Sequence, residues 1–270
     1  MTAGPEDGPA VILLHGFPEF WYGWRKQIGP LAEAGFRVIA PDQRGYNRSS
    51  KPANVRDYRI NELTADVIAI ADQIRAARVL LAGHDWGAAV AWNTAIQYPN
   101  RVQKLAILNV PHPAVMIRSL RTRPRQMLRS WYMLFFQIPG LPEFLVSRNH
   151  FAGCADGMVK TSRSGTFTSE DLERYREAWS QPGAITSMIN WYRALFRELP
   201  DPGALDRRVT VPTRILWGVG DAFLLREMAA ESAAYCDRGE LFEFPEATHW
   251  VQHEEPKRVN ELLIEFFGAN

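Results

Sequence analysis

The sequence predicts an α/β protein built on a mostly parallel sheet with helices on both sides. Short β-branched or apolar runs alternate with longer helical patterns along most of the 270 residues, which is typical of such sheets. The runs are almost continuously apolar, as expected of strands buried on both faces. One stretch, from about Pro111 to Asp206, contains no clear strand. This all-helical insert indicates a cap over the carboxyl edge of the sheet, where α/β sheets bind ligands.

The predicted elements follow one another in a regular order. The strands are Val11–His15, Arg37–Pro41, Val79–Gly83, Lys104–Val110, Thr213–Gly218 and Glu240–Phe244. The helices between them are Trp24–Ala34, Asn61–Ala76, Gly87–Tyr98, Leu225–Tyr235 and Pro256–Phe267. The insert contains helical patterns over Pro124–Phe136, Ser169–Trp179 and Ala184–Leu199. We therefore predict a core domain of residues 1–111 and 206–270, and a helical cap domain of residues 112–205.

The composition excludes several classes of protein. A net charge of +1 lacks the basic excess of a dedicated nucleic-acid binder. The two cysteines, Cys154 and Cys236, form no metal-binding spacing and no disulfide framework. No apolar run approaches the roughly 20 residues of a membrane span, and Met1–Pro9 lacks the pattern of a signal peptide. We expect a cytoplasmic protein with no nucleic-acid or membrane partner.

A candidate nucleophile stands at the end of the third predicted strand. This strand runs into Gly83-His84-Asp85-Trp86-Gly87, followed by a helix that begins with small residues. A strand, a tight turn and a helix form the setting of the nucleophile elbow, whose usual form is G-x-S-x-G. Here the central residue is Asp85 instead of serine. The alternative is an ordinary turn in which Asp85 caps the next helix.

An aspartate at this position indicates a particular chemistry. A serine that displaced a leaving group from saturated carbon would form an ether, which water does not readily cleave. A carboxylate forms an ester, and water can attack the carbonyl of that ester and regenerate the aspartate. Two-step covalent catalysis on sp³ carbon therefore becomes possible. The substitution argues against a simple esterase.

The base and its acid partner are expected further along the chain. In folds with this elbow the order is nucleophile, acid, histidine. Asp221 follows the strand Thr213–Gly218, and His249 follows the last strand. We predict that His249 activates water while Asp221 orients its ring, with Asp201 and Asp206 as alternatives for the acid.

Metal and nucleotide sites are not indicated. His249 and His253 lie four residues apart, but no third ligand is evident and the short loop disfavours a helix there. No glycine-rich nucleotide motif follows a strand. We expect neither a metal nor a cofactor.

An oxyanion hole is predicted at the end of the first strand, which continues into His15-Gly16-Phe17-Pro18-Glu19. Gly16 permits close approach of the backbone, and the bond before Pro18 is a candidate for the cis form. We predict that the backbone amides of Phe17 and Trp86 point at the carbonyl oxygen of an ester on Asp85.

Several motifs together resemble one family. HGFPEFWYGWR, DQRGYNRSSKP, GHDWG, NVPHP and ATHW occur in this order, and the chain resembles the epoxide hydrolases of the α/β-hydrolase fold over nearly its whole length. The resemblance implies conversion of a small apolar epoxide to a vicinal diol, without a cofactor. It implies a cap inserted after the sixth strand of the family's sheet, which corresponds to Lys104–Val110. It also implies that Tyr132 and Tyr192, two cap phenols, hydrogen-bond and protonate the epoxide oxygen. Cap residues expected around the substrate are Phe135, Phe136, Met188 and Leu195.

The sequence departs from the family pattern in two places. The family usually has two antiparallel strands before the HGFP strand, and these are expected to be absent because only about ten residues precede Val11. We predict that Met1–Pro9 or a partner in a homodimer covers the exposed edge. The acid loop, Trp217-Gly218-Val219-Gly220-Asp221, also lacks the charged residues often found in the family.

Two other functions compete with epoxide hydrolysis. A haloalkane or haloacid dehalogenase also uses an aspartate nucleophile, but haloalkane dehalogenases commonly have asparagine where this chain has Phe17, and fluoroacetate dehalogenases more often have arginine in place of Trp86. A non-catalytic ligand-binding protein on the same scaffold would have no need of a nucleophile, base, acid and two phenols together.

The cap contains a run of basic residues, which is interpreted first as a solvated helix face and second as a contact with an anionic surface. The run consists of Arg118, Arg121, Arg123, Arg125 and Arg129.

Overall fold

A computed structural model of the chain describes residues 1–197 and 207–269. A sheet of seven strands lies at its centre, in the order β1-β3-β2-β4-β5-β6-β7. The strands are β1 (Thr2–Ala3), β2 (Ala10–Leu14), β3 (Arg37–Ile39), β4 (Val79–His84), β5 (Val102–Leu108), β6 (Thr213–Gly218) and β7 (Gly239–Phe244). Every neighbouring pair is parallel except β1 with β3. The predicted mostly parallel sheet is confirmed.

Helices cover both faces of the sheet. Those of the core are α1 (Arg25–Glu33), α2 (Ile60–Gln73), α3 (Trp86–Gln97), α10 (Glu227–Ala233), α11 (Val251–Glu254) and α12 (Pro256–Gly268). Those of the insert are α4 (Pro113–Thr122), α5 (Pro124–Arg129), α6 (Trp131–Phe135), α7 (Leu141–Thr161), α8 (Ser169–Trp179) and α9 (Ala184–Arg197). A kink at residues 148–151, where the backbone is not helical, divides α7 into two parts. Two short 3-10 helices, Trp21–Trp24 and Val55–Tyr58, complete the described part.

The alternation of side chains along the strands divides the core into two layers. In β2, Ile12 and Leu14 pack into the layer that α2, α3 and the insert cover. Val11 and Leu13 pack into the opposite layer, against α1 and α12. All four side chains are fully buried. Because both faces are covered, the carboxyl ends of the strands form a firm base for the loops that follow them.

The edge of the sheet corrects one expectation. The antiparallel edge strands were expected to be absent, but Thr2 and Ala3 pair antiparallel with Ile39 and Val38 of β3. The amino group of Met1 adds a hydrogen bond to the carbonyl of Ala40 (2.9 Å). The prediction that Met1–Pro9 covers this edge is therefore confirmed. Because one antiparallel strand is present instead of two, the helical insert follows the fifth strand of this chain.

The helices of the insert differ from their predicted bounds in two cases. The predicted helix Pro124–Phe136 is two helices, because Ser130 leaves the helical conformation (φ −95°, ψ 13°). The predicted helix Ala184–Leu199 is described to Arg197, and Leu199 lies outside the described residues. The predicted bounds Ser169–Trp179 are confirmed, with Thr168 as the capping residue: its hydroxyl accepts from the amide of Asp171, whose carboxylate accepts from the Thr168 amide.

The division into core and cap domains stays a prediction. Helices α4 to α9 follow β5, as the first boundary at residues 111 and 112 requires. The second boundary, at residues 205 and 206, lies outside the described residues. None of the helices described here is both long enough and apolar enough to cross a membrane.

Candidate active site

The turn between β4 and α3 holds Asp85 in a strained backbone conformation, with φ 50° and ψ −125°. Non-glycine residues persist at positive φ only where their surroundings hold them there. The flanking glycines allow the tight approach: a Cβ on Gly83 would lie 2.4 Å from the carbonyl oxygen of Gly87, and one on Gly87 would lie 2.1 Å from that of Leu14. The sharp turn lifts the Asp85 side chain above the carboxyl edge of the sheet.

The Asp85 carboxylate turns away from the helix that follows it. Its side chain forms no capping hydrogen bond at the start of α3, which contradicts the capping interpretation. Instead Oδ1 accepts a hydrogen bond from the amide of Phe17 (2.7 Å), and Oδ2 lies 3.4 Å from Nε2 of His249. Burial raises the pKa of the Asp85 carboxyl, but the hydrogen bond and charge of His249 outweigh it, so the net pKa is lowered. The carboxylate is thus ionised at neutral pH.

The predicted oxyanion loop lies against this carboxylate. A Cβ on Gly16 would lie 2.3 Å from the Cβ of Asp85, so only glycine lets the loop approach. The bond between Phe17 and Pro18 is cis, as anticipated. Oδ1 of Asp85 stands where the carbonyl oxygen of an ester would be, and it already accepts from one of the two predicted amides. The role of the second, on Trp86 at the first residue of α3, stays a prediction.

His249 connects two carboxylates. Its Nδ1 lies 2.7 Å from Oδ2 of Asp221, and its Nε2 faces Asp85. The ring is 2% exposed. Burial lowers the pKa of His249, but the charge and hydrogen bond of Asp221, followed by those of Asp85, raise it to about 10. The imidazole is therefore a cation at neutral pH.

Asp221 is held at both of its oxygens. Oδ1 accepts from the amides of Phe223 (2.7 Å) and Leu224 (3.0 Å), and Oδ2 accepts from Nδ2 of Asn109 (2.8 Å) as well as from His249. Backbone amides and one side-chain amide thus take the place of the charged residues missing from this loop. The alternatives considered for the acid, at positions 201 and 206, lie outside the described residues.

Asn109 was not identified from the sequence, although it belongs to the NVPHP motif. It follows β5 with a positive φ of 51° and exchanges hydrogen bonds with Gly218: Oδ1 accepts from the Gly218 amide (2.8 Å), and Nδ2 donates to its carbonyl (3.2 Å). Gly218 in turn lies against the loop of His249, since a Cβ there would be 1.8 Å from the Thr248 carbonyl oxygen. Asn109 therefore sets the geometry of the acid loop. A polar residue directly after a buried strand was the available signal.

The two predicted phenols meet above Asp85. Tyr132 lies on α6 and Tyr192 on α9, with ring centroids 5.8 Å apart and rings nearly perpendicular. The Tyr192 ring also lies 5.0 Å from Trp86 and 5.3 Å from Phe17. Burial, together with the nearby charge of Asp85, raises the pKa of both phenols. Both therefore stay protonated and can donate.

Aromatic rings surround the space between these groups. Phe136, predicted as a pocket residue, lies 4.9 Å from Tyr192 and 5.6 Å from Phe17 between centroids. Phe223 was not predicted; its ring lies 5.1 Å from His249 and 5.8 Å from Tyr132.

The other predicted pocket residues lie on the same helices as the two phenols and differ in burial. Phe135 packs on Phe136, with centroids 5.9 Å apart, and is half-buried. Met188 and Leu195 lie on α9, four residues before and three residues after Tyr192. Met188 is fully buried and Leu195 is half-buried. Their part in binding a substrate stays a prediction.

A buried polar network supports the site from behind, and sequence reasoning missed it. Nε2 of His84 lies 2.8 Å from the carbonyl oxygen of His249, and its Nδ1 lies 3.1 Å from the Glu19 carboxylate. Glu19 also accepts from the hydroxyl of Tyr175 on α8 (2.8 Å) and contacts Nε2 of His253 (2.7 Å). Burial raises the pKa of Glu19, but the charges and hydrogen bonds of His253 and His84 outweigh it, and the net pKa is well lowered. A buried carboxylate thus connects core and cap.

The partners of His249 and His253 differ, because the first contacts Asp85 and Asp221 whereas the second contacts Glu19. Over residues 1–197 and 207–269, no group of three or more histidine, cysteine or acidic side chains is arranged to hold a metal ion.

Comparison with known proteins gives consistent matches along the chain. The family of the α/β hydrolase fold matches residues 9–256. The AB hydrolase superfamily protein YfhM of Bacillus subtilis is 47% identical over 268 residues, which covers 98% of this chain and 92% of the relative. Epoxide hydrolase 4 of Homo sapiens is 41% identical over 272 residues, which covers 98% of this chain and 74% of the relative.

Solved structures agree with the sequence relatives. The epoxide hydrolase of Bacillus megaterium in complex with an inhibitor superposes with a TM-score of 0.88 at 32% identity, covering 100% of this chain and 96% of that one. Epoxide hydrolase A of Mycobacterium thermoresistibile gives 0.82 at 34% identity, covering 99% and 93%. Sequence and structure therefore point to the same group of proteins.

Proposed function

This chain belongs to the epoxide hydrolases of the α/β hydrolase fold, and on that premise we propose that it converts an epoxide and water to a vicinal diol through a covalent ester on Asp85. The observation that carries the proposal is the contact pattern of one carboxylate. Oδ1 of Asp85 is bound by the Phe17 amide, and Oδ2 is free of backbone donors and faces the base. This pattern supports Oδ1 as the future carbonyl oxygen and Oδ2 as the attacking oxygen.

The first step is ring opening. Oδ2 of Asp85 attacks an epoxide carbon, a new carbon–oxygen bond forms, and the ring bond from that carbon to the epoxide oxygen breaks. The oxygen leaves as an alkoxide that stays attached to the substrate. Tyr132 and Tyr192 donate hydrogen bonds to it, and one of them transfers its proton. Donors already in place in a buried site stabilise such a charge strongly.

Ester formation prepares the second step. It removes the negative charge of Asp85, and that charge is one of the causes of the raised pKa of His249. The pKa of the imidazolium falls, and its proton restores the phenol that was spent on the alkoxide. His249 then holds a free Nε2, while Asp221 keeps its Nδ1 proton in place.

Hydrolysis completes the cycle. His249 takes a proton from water, and the hydroxide adds to the ester carbon. The negative charge that develops on Oδ1 is stabilised by the amide of Phe17, and by Trp86 if its predicted contact forms. When this intermediate collapses, the diol leaves with the former Oδ2 and takes the remaining proton. Asp85 is regenerated with one oxygen from water.

A small apolar epoxide suits the walls of the site. The rings of Phe17, Phe136 and Phe223 surround the reacting groups and offer no charge. Two phenols suit an oxygen leaving group, which needs a proton, better than a halide, which needs none.

The direct test is a single turnover in ¹⁸O-labelled water, followed by mass analysis of the peptide that contains Asp85. We expect heavy oxygen in the peptide and none in the first diol formed. Heavy oxygen in that first diol, with an unlabelled peptide, would mean direct attack by water on the substrate. Parallel assays with styrene oxide and a bromoalkane separate epoxide opening from dehalogenation.

His249→Gln tests the order of the steps. Glutamine cannot accept the proton of water, so the ester should accumulate as a substrate-sized increase in the mass of the Asp85 peptide. An unmodified peptide, after incubation with an epoxide that the wild type converts, contradicts the two-step scheme.

A further inference from the structure

The outer surface of the cap carries a run of exposed, large apolar side chains. Eight of them lie between residues 127 and 145, and the rest of the described chain adds only Met1, Val159 and Phe196. The most exposed is Leu128, at 74%. We call the eight the apolar cap face: Met127, Leu128, Trp131, Leu134, Ile138, Leu141, Phe144 and Leu145. Apolar residues scattered singly are normal on protein surfaces, whereas a concentration of large ones in one segment points to an interaction site.

The spacing of five of these residues places them on common helix faces. In α6, Trp131 and Leu134 are three residues apart and share the outer face, with exposures of 63% and 64%. On the inner side of the same helix, Met133 is buried and Tyr132 packs against Tyr192. The same spacing recurs at the start of α7, in Leu141, Phe144 and Leu145. The helix that holds one of the phenols thus presents an apolar surface to solvent.

The segment that carries this face is strongly basic. Residues 118–148 contain six arginines and one acidic residue, Glu143, a formal charge of +5, whereas the whole chain carries +1. Glu143 is itself paired with an arginine of α9. Arg121, Arg125 and Arg148 are exposed, and within the described residues none of the three forms an ion pair. Uncompensated positive charge therefore borders the apolar cap face at both ends.

We propose that the apolar cap face binds the surface of an anionic lipid bilayer. Tryptophan, phenylalanine and leucine side chains at the surface of helices bury readily at the boundary of headgroups and acyl chains, and bordering arginines attract anionic headgroups. A second copy of the chain fits less well, because arginines border the face at both ends and a two-fold interface would bring these like charges together. The expectation of no membrane partner rested on the lack of a spanning run, and this face needs no span.

Binding to a bilayer would also affect how the enzyme meets its substrate. This consequence rests on the proposed function, whereas the binding itself does not. Apolar epoxides concentrate in lipid, and α6 would bring the roof of the active site to that lipid. A bound enzyme would then meet its substrate where the substrate is most abundant.

Sedimentation with vesicles tests the binding without any use of activity. The full chain is mixed with vesicles of phosphatidylcholine alone, or of phosphatidylcholine with phosphatidylserine, and the bound fraction is measured over a range of salt concentrations. We expect binding to the anionic vesicles that weakens with salt, and binding to the neutral ones weaker by about tenfold or more. Leu134→Glu should weaken binding by about tenfold or more, because it puts a charge where a leucine side chain would enter the bilayer.

Further variants test whether binding depends on the apolar cap face and on its bordering arginines. Val159→Glu makes a similar change at an exposed residue outside the face, and its binding should stay within about twofold of wild type. Arg121→Glu with Arg125→Glu should remove the preference for anionic vesicles.

The proposal is wrong if the wild type binds to neither kind of vesicle, or if Leu134→Glu binds as well as the wild type. It is also wrong if the wild type is a dimer that Leu134→Glu converts to a monomer. Hydrolysis of a water-soluble epoxide in buffer, which Leu134→Glu should retain, tests the proposed function separately.

Discussion

The floor and the roof of the active site are held in place by different forces. The floor consists of Asp85, Asp221 and His249, which follow β4, β6 and β7, and every carboxylate oxygen there has a donor or the imidazole beside it. The roof consists of Tyr132 and Tyr192, which are held mainly by ring contacts with neighbouring aromatic residues. A single side-chain hydrogen bond, between Trp86 and Tyr192, adds to these contacts in the part of the chain that the structure describes. Hydrogen bonds fix direction, whereas apolar packing mainly fixes volume.

The difference follows from the chemistry of each side. In the proposed mechanism charges appear and disappear on the floor, and a buried charge needs donors at fixed positions. The roof is proposed to shape the space for the substrate and to assist a leaving group, for which packed rings suffice. We expect changes in the floor to stop the reaction, and changes in the roof to slow one step of it.

The largest effect is expected from loss of the nucleophile. Asp85→Ala should lower kcat by at least about 10⁴-fold, because a methyl group cannot form an ester. Steady-state diol formation measures it. Asp72→Ala is the matched control: Asp72 pairs with Arg101 at the surface, so its removal should leave kcat unchanged. Substantial turnover by Asp85→Ala would place the chemistry elsewhere.

The roof should show its effect in the first step only. The double variant Tyr132→Phe with Tyr192→Phe should slow ester formation by about 10³-fold, and each single variant by about 10²-fold or less, because each phenol donates to the same developing charge. Hydrolysis of the ester should keep its rate, since the alkoxide has been protonated by then.

Rapid mixing, which resolves formation of the ester from its hydrolysis, separates these outcomes. Tyr98→Phe, a half-buried tyrosine outside the site, is the control and should change neither rate. Equal slowing of both steps in the double variant would indicate damage to the pocket instead of loss of a proton donor.

The sequence predicted the floor better than the roof, for a physical reason. The elbow is a local feature, because a strained turn needs glycine on both sides of the nucleophile within five residues. The order of acid and histidine then limited the choice to residues directly after strands. Tyr132 and Tyr192 have no such local signal, and they were identified through resemblance to a family. In a cap rich in aromatic residues, nothing in the sequence alone separates a phenol that donates from one that packs.

Residues that support the site through hydrogen bonds to other residues were not predicted from the sequence. Asn109 meets Asp221 across 112 positions of the chain, and Glu19 meets Tyr175 across 156. Such contacts depend on how strands and helices are arranged in space, which spacing along a sequence does not report. The break at Ser130 was also missed, because the apolar pattern continues through it.

The pH dependence of stability tests the floor. Because the pKa of His249 is raised from 6.5 to about 10, the folded protein holds a proton that the unfolded chain releases. This stabilisation is complete below about pH 6.5 and is lost as the pH rises to about 10. It amounts to a few kcal/mol at most, on the order that such a shift implies. Denaturant unfolding of wild type and His249→Gln at several pH values measures it. Wild type should lose more stability than the variant over this range, and parallel curves would show that His249 is not a cation in the folded protein.

The smallest effect concerns hydrogen bonds that join the helices of the insert to the core, behind the roof and the floor. Tyr175→Phe should destabilise the protein by about 2 kcal/mol, because it removes a donor from the buried carboxylate of Glu19. Tyr58→Phe removes a comparable hydroxyl, buried at the same junction, that bonds to the neutral Ser187 of α9 and to the carbonyl of Pro52. It should cost about 1 kcal/mol, since bonds to charged groups are stronger than bonds between neutral ones. Denaturant unfolding of both variants at pH 7 gives the order directly. If Tyr58→Phe costs as much as Tyr175→Phe, then the charge of Glu19 adds nothing to its hydrogen bond with Tyr175.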